Sequence, residues 1–314
     1  MSSGKHFHNV LCLSEAKGMD IIMKFSLIIG TLNRCAELEI CLNSLRKQKF
    51  RVFEVIIVDQ STDDSTQQLV SKYQDLKIIY KHVEFRGLSK ARNYALALAH
   101  GDYFALIDDD AYYEEQYLWE ANRILSENGK MVLAGNIVPK EMLKNPKINS
   151  SKKKLEPMGY RQITRDCPSP ALIFPYALYQ EGISFDENFG VGAMFGACEE
   201  TDLVLEALDH EYKMNYCANM LVVHPTMQHS FEVENSTKAR KKENYARGLG
   251  ALLEKDRVIR KNRRLRYYEM EKKCKILLKK SGLFGKEKKS LAIAELRGLN
   301  SGKKDFRKLL EKEI

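Results

Sequence analysis

No CxxC pair occurs anywhere in this chain. The seven cysteines (Cys12, Cys35, Cys41, Cys167, Cys198, Cys217 and Cys274) are scattered and odd in number. That pattern argues against a zinc site or a disulfide framework and fits reduced thiols in a cytosolic protein. No apolar run approaches the ~18 residues that a membrane span needs. Ile21 to Ile29 is apolar but broken by Lys24, and it continues into a core-like strand, so it reads as strand and not as signal peptide. Glycine phosphate loops are missing too. A dinucleotide fold would place GxGxxG straight after its first strand, and a P-loop would place GxxxxGKS or GxxxxGKT there. Here the residues are Gly30, Thr31, Leu32, Asn33 and Arg34. Phosphate charge must be met by other means.

What is present is 314 residues with an ordinary apolar content of 44% and a net charge of +9. The charge is unevenly placed. From Lys238 onward there are about 26 Lys+Arg and about 10 Asp+Glu, so an acidic body carries a basic tail. Residues 1–23 read as a disordered leader without a clear period, and Met23 looks like a natural start. Residues 24–235 read as a first domain, the acidic body, and residues 236–314 as a basic helical region.

The first domain alternates. Phe25 to Gly30, Val52 to Val58, Lys77 to Tyr80, Tyr103 to Ile107 and Met131 to Ile137 are strand-like, and Met214 to Val223 is a last strand ending at His224. Leu38 to Leu45, Ser65 to Tyr73, Leu88 to His100 with Gly101 as C-cap, and Glu114 to Glu127 have helical character. This order predicts an α/β fold: a Rossmann-like, mainly parallel sheet flanked by helices. Pro139 to Pro175, basic and proline-dotted, reads as a long irregular insertion.

The fourth strand ends in Asp108, Asp109 and Asp110. Three adjacent carboxylates repel unless something positive sits among them. Either they form a helix N-cap cluster in a solvated turn, or they hold Mg²⁺ or Mn²⁺ against phosphate oxygens at the edge where open α/β sheets bind ligands. Asp59, at the tip of the second strand, is placed to accept hydrogen bonds from a ribose or base. Glu199, Glu200 and Asp202 open a helix behind a loop with Gly190, Gly192 and Gly196. They either favour the helix dipole or supply a carboxylate that takes a proton from an attacking hydroxyl. His224 and His229 are structural or ligate metal or phosphate. Arg34, Arg86 and Arg92 are solvated or approach base and phosphates. The basic tail either packs on the body, faces an anionic membrane surface or binds nucleic acid. The aromatics are not interleaved as base stacking requires, which disfavours nucleic acid.

Four segments resemble the family 2 glycosyltransferases in order and spacing: Ser26 to Arg34, Ile56 to Thr66, Gly87 to Asn93 and Gly101 to Asp110. Phe185 to Gly190, Cys198 to Leu203 and Tyr245 to Gly250 continue the likeness, which spans Lys24 to Leu253 and is similar to bacterial polysaccharide-building members. The resemblance implies a GT-A fold and an inverting transfer of a hexosyl or deoxyhexosyl group. The implied donor is a nucleotide-diphosphate sugar (UDP, dTDP or GDP). The implied acceptor is a saccharide or lipid-linked hydroxyl, at the cytoplasmic side of a membrane that the basic tail would hold peripherally. It implies that Thr31 and Arg34 line the nucleotide pocket, that Asp59 reads the nucleobase and that Arg92 supports base and ribose. Asp108 would serve ribose and metal, and Asp110 would bind the metal (Mn²⁺ or Mg²⁺). Glu200 falls at the base position of a Glu-Asp-x-Asp pattern that here reads Glu-Glu-Thr-Asp, so Glu199 and Glu200 both stand as candidate bases. The competing classes are a nucleotidyltransferase, a sugar-nucleotide binder without turnover, and a scaffold.

Overall fold

Phe25–Thr31 (β1) is apolar on both faces, and helices cover both. The structure, a computed structural model, describes residues 22–140, 143, 155–166, 169–224, 235–261, 265–281 and 285–313. All but the last two residues of the leader, His229, and residues 141–142, 144–154 and 167–168 of the proline-dotted stretch lie outside them. After β1 come α1 (Cys35–Arg46), β2 (Phe53–Asp59), α2 (Ser65–Val70), β3 (Ile78–His82), α3 (Leu88–Leu96) and β4 (Tyr103–Leu106). Then follow β5 (Tyr112–Tyr113), α4 (Tyr117–Asn128), β6 (Val132–Val138), β7 (Leu155–Pro157), α5 (Tyr160–Asp166), β8 (Leu172–Pro175) and α6 (Ala177–Gln180). The remaining elements are α7 (Glu199–Asp209), β9 (Met214–Val223), α8 (Asn235–Val258), α9 (Arg266–Lys280) and α10 (Lys286–Glu313).

The strand order is β3-β2-β1-β4-β8-β6-β9-β5, with β7 paired to β9. The first four strands are parallel, with Thr31 opposite Asp59 and Ile28 opposite Leu106. The tips of β1, β2 and β4 therefore share one edge. The winding reverses where the chain passes from β3 to β4 across β1, which opens a crevice at that edge. Alternate residues face opposite sides of a strand. Leu27, Ile29, Val55 and Ile57 pack against α1 and α4, while Ile28, Ile56 and Val58 pack against α3 and α7. A third cluster joins Phe189, Phe195 and Leu205 to Ala251, Leu252 and Leu253 of α8, with Leu299 and Phe306 of α10. The basic helices are thus packed on the body. The fit is close: a Cβ on Gly248 would stand 2.6 Å from the Ala197 carbonyl oxygen. No helix among the described residues is long and apolar enough to cross a membrane.

Two expectations change. The described part of Pro139 to Pro175 is not irregular. It supplies β7, α5 and β8, and β8 is a fully buried strand between β4 and β6, antiparallel to both. Four residues ending in proline are too short a run to announce a central strand. Gly101 is not the C-cap of α3, which ends at Leu96 with Ala97 as cap. Glycine stands there because the backbone of β1 passes beside it: a Cβ would lie 2.7 Å from Ser26 N and 2.8 Å from Lys24 O.

The buried Glu54 of β2 ties this sheet edge together. It accepts from Ser26 Oγ (2.9 Å), the His100 N–H (2.7 Å) and Lys77 Nζ (2.8 Å). Burial would raise its carboxyl, but these donors overcome that and hold it at about 2. A folded value below the unfolded one stabilises fully above the unfolded value of ~4.3 and is lost as pH falls towards 2. Urea melts of the wild type are expected to lose midpoint steadily between pH 5 and pH 3. Glu54→Gln is expected to start lower at pH 7 and lose less over that range. Parallel losses in both proteins would remove Glu54 from this role.

Candidate active site

The site is built at the edge shared by β1, β2 and β4. Asn33 adopts φ 55 just after β1 and locks two turns together. Its N–H donates to Ser61 Oγ (2.8 Å), and its Oδ1 accepts from the Thr62 N–H (3.1 Å). Asp59, at the tip of β2, is buried. It accepts from the Ser61 N–H (2.8 Å) and the Tyr80 hydroxyl (2.8 Å), so in this state its carboxylate holds the turn.

The three aspartates after β4 point in different directions. Asp109 is buried and accepts from Thr31 Oγ1 at 2.9 Å and from Arg34 Nη1 at 2.8 Å. Burial nonetheless raises it to about 6. Asp110 accepts from Arg34 Nη2 at 2.6 Å through one oxygen and faces His224 Nε2 at 3.1 Å through the other. Against the pull of burial, bonds to His224 and Arg34 hold it well below the usual carboxylate range. Asp108 accepts from Arg92 Nη2 at 3.1 Å, and its second oxygen lies 4.0 Å from His224 Nε2. Burial, opposed by Arg92, raises Asp108. One ligand atom each from Asp108, Asp110 and His224 lie within 4.8 Å of one another. Two carboxylate oxygens and an imidazole nitrogen suit Mn²⁺ or Mg²⁺.

Arg92 connects this cluster to α7. Its side chain is 2% exposed. Besides Asp108 it reaches Glu199 Oε1 at 3.2 Å, Glu200 Oε1 at 3.7 Å and Ser169 Oγ at 3.4 Å, and it stands 5.5 Å from the centre of the Phe185 ring. The Glu-Glu-Thr-Asp segment divides. The Glu199 side chain is 4% exposed and packed beneath Gly190, where a Cβ would lie 3.1 Å from its Cδ. Burial and the neighbouring Glu200 push the Glu199 carboxyl up, with Arg92 opposing. The Glu200 side chain is 15% exposed and keeps more solvent contact than Glu199. Asp202 turns away, to Lys255 Nζ (2.8 Å) and Arg260 Nη2 (2.8 Å). Lys255 also holds Asp186 at 2.6 Å. Cys198, the residue before α7, has φ 76, a strained conformation that cants the start of the helix.

Thr31, Arg34, Arg92, Asp108, Asp110, Glu199, Glu200 and His224 are therefore brought together, with Asp59 alongside. Arg86 is exposed and stands apart. Sequence reasoning missed Ser169, Lys255 and Arg260. The last two were hidden in a run of similar charges, and only their burial marks them. The glycine loop is tied to the body. Phe189 and Phe195 are fully buried, the Gly190 N–H donates to Phe195 O (2.8 Å), and Ser89 Oγ donates to Phe189 O (2.6 Å).

Known proteins resemble this chain in sequence and in fold. The family profile described as glycosyl transferase family 2 matches residues 26–184, half of the chain. The chain belongs to glycosyl transferase family 2. The poly(ribitol-phosphate) beta-N-acetylglucosaminyltransferase TarS of Staphylococcus aureus strain Mu50 is 36% identical over 135 residues, 39% of this chain and 24% of TarS. The UDP-Glc:alpha-D-GlcNAc-diphosphoundecaprenol beta-1,3-glucosyltransferase WfaP of Escherichia coli is 35% identical over 89 residues, 28% of this chain and 36% of WfaP. The chain thus spans about a quarter to a third of the length of these relatives. Crystalline S. aureus TarS 1-349 has a TM-score of 0.53 and 23% identity, covering 91% of this family 2 chain and 92% of that one. The mannosyltransferase PcManGT of Pyrobaculum calidifontis, solved with GDP-Man and Mn²⁺, has a TM-score of 0.56 and 17% identity, covering 72% and 62%. At these identities the likeness shows the fold, which is GT-A.

Removing Arg92 leaves Glu199 and Asp108 without their shared cation in a buried place. Arg92→Ala is expected to destabilise the protein by about 3–5 kcal/mol in chemical denaturation. Arg92→Lys keeps the charge but loses the fork, and is expected to recover only part of that. A loss below about 1 kcal/mol for Arg92→Ala would show that solvent already screens the group.

Proposed function

We propose that this family 2 chain is a metal-assisted, inverting glycosyltransferase of bacterial surface polysaccharide synthesis. It moves a sugar from a nucleoside-diphosphate sugar to a hydroxyl of a saccharide or lipid-linked acceptor. One arrangement carries the reading: a buried arginine joins Asp108, one member of the Asp108, Asp110 and His224 cluster, to the Glu199–Glu200 pair. The relatives named above are glycosyltransferases by description, and the solved neighbours include complexes with UDP, with UDP-GlcNAc and with GDP-Man and Mn²⁺.

Asp108, Asp110 and His224 would hold Mn²⁺ or Mg²⁺, which when bound neutralises charge on a departing diphosphate. Thr31 and Arg34 fix Asp109 and Asp110 and so set the direction of the cluster. Arg34 also keeps a half-exposed guanidinium at the crevice, where phosphate can be met. Glu200 accepts the proton of the acceptor hydroxyl through its open carboxylate. The hydroxyl oxygen attacks the anomeric carbon from the face opposite the leaving diphosphate, and the configuration inverts. Glu199 is assigned to hold Arg92, because it is buried and paired. Asp59 holds the turn beside the nucleobase through Ser61 and Tyr80.

Purified protein incubated with Mn²⁺ and a panel of UDP-, GDP- and dTDP-sugars is expected to release one nucleoside diphosphate. Asp110→Ala is expected to abolish the metal dependence with the rate. Glu200→Gln is expected to lower transfer by about 10²–10⁴-fold while keeping donor affinity. Donor binding without release in the wild type would identify a binder without turnover. Equal release by the wild type and Asp110→Ala would sink the metal assignment.

A further inference from the structure

Beside Glu200 lies a cleft that none of the steps above uses. It has a volume of about 590 Å³ and runs between the Phe189–Phe195 turn and α8. Val191 and Met194 form its exposed apolar lip, and Arg240, Lys241, Tyr245 and Arg247 project from the helix side. No carboxylate lines it among the described residues. Arg240 and Lys241 are exposed and make no ion pair among the described residues. Lys241 Nζ stands 6.0 Å from the centre of the Tyr245 ring. Arg247 pairs with Asp305 at 2.9 Å, but its Nε is buried without a hydrogen-bond partner.

The cleft lies close to the reaction centre. Gly190, the residue before its turn wall, stands directly against Glu199. Tyr245, on the helix wall, feels the charges of Glu199, Glu200 and Asp108, which together with burial raise its hydroxyl. Elsewhere in the molecule the cations near the site are neutralised: Arg34, Arg92, Lys255 and Arg260 each meet two or more carboxylates. Arg240 and Lys241, without carboxylates of their own and beside an Arg247 that meets only Asp305, repel one another until an anion arrives. A neutral glycan would leave them so; a phosphate, with several acceptor oxygens, would satisfy them.

We infer that this cleft binds an acceptor carrying phosphate, a saccharide- or polyol-phosphate chain. Its anionic group lies on Arg240, Lys241 and Arg247 while a hydroxyl reaches Glu200. The inference rests on the glycosyl-transfer reading and names the acceptor class for it. The same cations could instead meet the diphosphate of the donor, so the experiment carries an arm for each source.

The full chain is titrated with a short glycerol-phosphate oligomer, with a neutral maltooligosaccharide of similar length, and separately with UDP, GDP and dTDP in the presence of Mn²⁺. The same titrations are run on Arg240→Gln/Lys241→Gln, whose replaced side chains are exposed and whose melting temperature is expected to match the wild type. The wild type is expected to bind the charged oligomer and not the neutral one. The double variant is expected to bind the charged oligomer about tenfold or more weakly, with nucleotide affinity unchanged. The inference is overturned by equal binding of the neutral oligomer, by no binding of the charged one to the wild type, or by equal affinity in the variant. A loss of nucleotide affinity in place of oligomer affinity also overturns it and assigns the cleft to the donor. Failure of every nucleotide to bind the wild type would strike the glycosyl-transfer reading itself, a separate result from the oligomer titration.

Discussion

The site depends on one buried guanidinium. Arg92 sits on α3, between the end of β4 and the start of α7, and its two terminal nitrogens point to different elements. A buried ion pair adds little net stability, because desolvation opposes attraction. It does fix geometry, since an uncompensated charge there is costly. With Asp108 on one nitrogen and Glu199 on the other, the acidic cluster and the helix carrying Glu200 cannot drift apart. Asp109 and Asp110 are fixed in the same manner by Arg34, from the turn after β1. The crevice at the sheet edge is thus lined by carboxylates whose directions are set by two arginines and a threonine.

The same logic governs the C-terminal helices. Lys255 and Arg260 join α8 and the residues just after it to Asp186, Asp202 and Glu206. Part of the basic charge of this region therefore serves internal pairing. Outside those pairs, Arg240 and Lys241 stand exposed beside Tyr245, and on α9 Tyr267, Met270, Leu277 and Leu278 are exposed among lysines.

Much of this was legible in the chain itself. The parallel half of the sheet followed from apolar runs alternating with helical periods, and the acidic cluster from three aspartates at a strand end. His224 was legible as a residue terminating a last strand. β8 was not, because four residues among prolines carry no period to read. Lys255 and Arg260 were not, because one charge in a basic run looks like any other until burial singles it out. The roles of Glu199 and Glu200 could not be separated by spacing. Adjacent helical residues point about 100° apart, and only the packing of Gly190 decides which one is covered. The two bonds that Asp59 accepts, from Ser61 and Tyr80, are not legible from its place at a strand tip.

The central claim is that one cluster holds a divalent metal while Glu200 faces it across the crevice. Anomalous diffraction from crystals grown with Mn²⁺ and the nucleoside diphosphate that binds tests it directly. The account predicts a manganese peak between Asp108, Asp110 and His224, with the Glu200 carboxylate open on the opposite side. A peak elsewhere, or no peak with the nucleotide bound and the aspartates still held by their arginines, would contradict it.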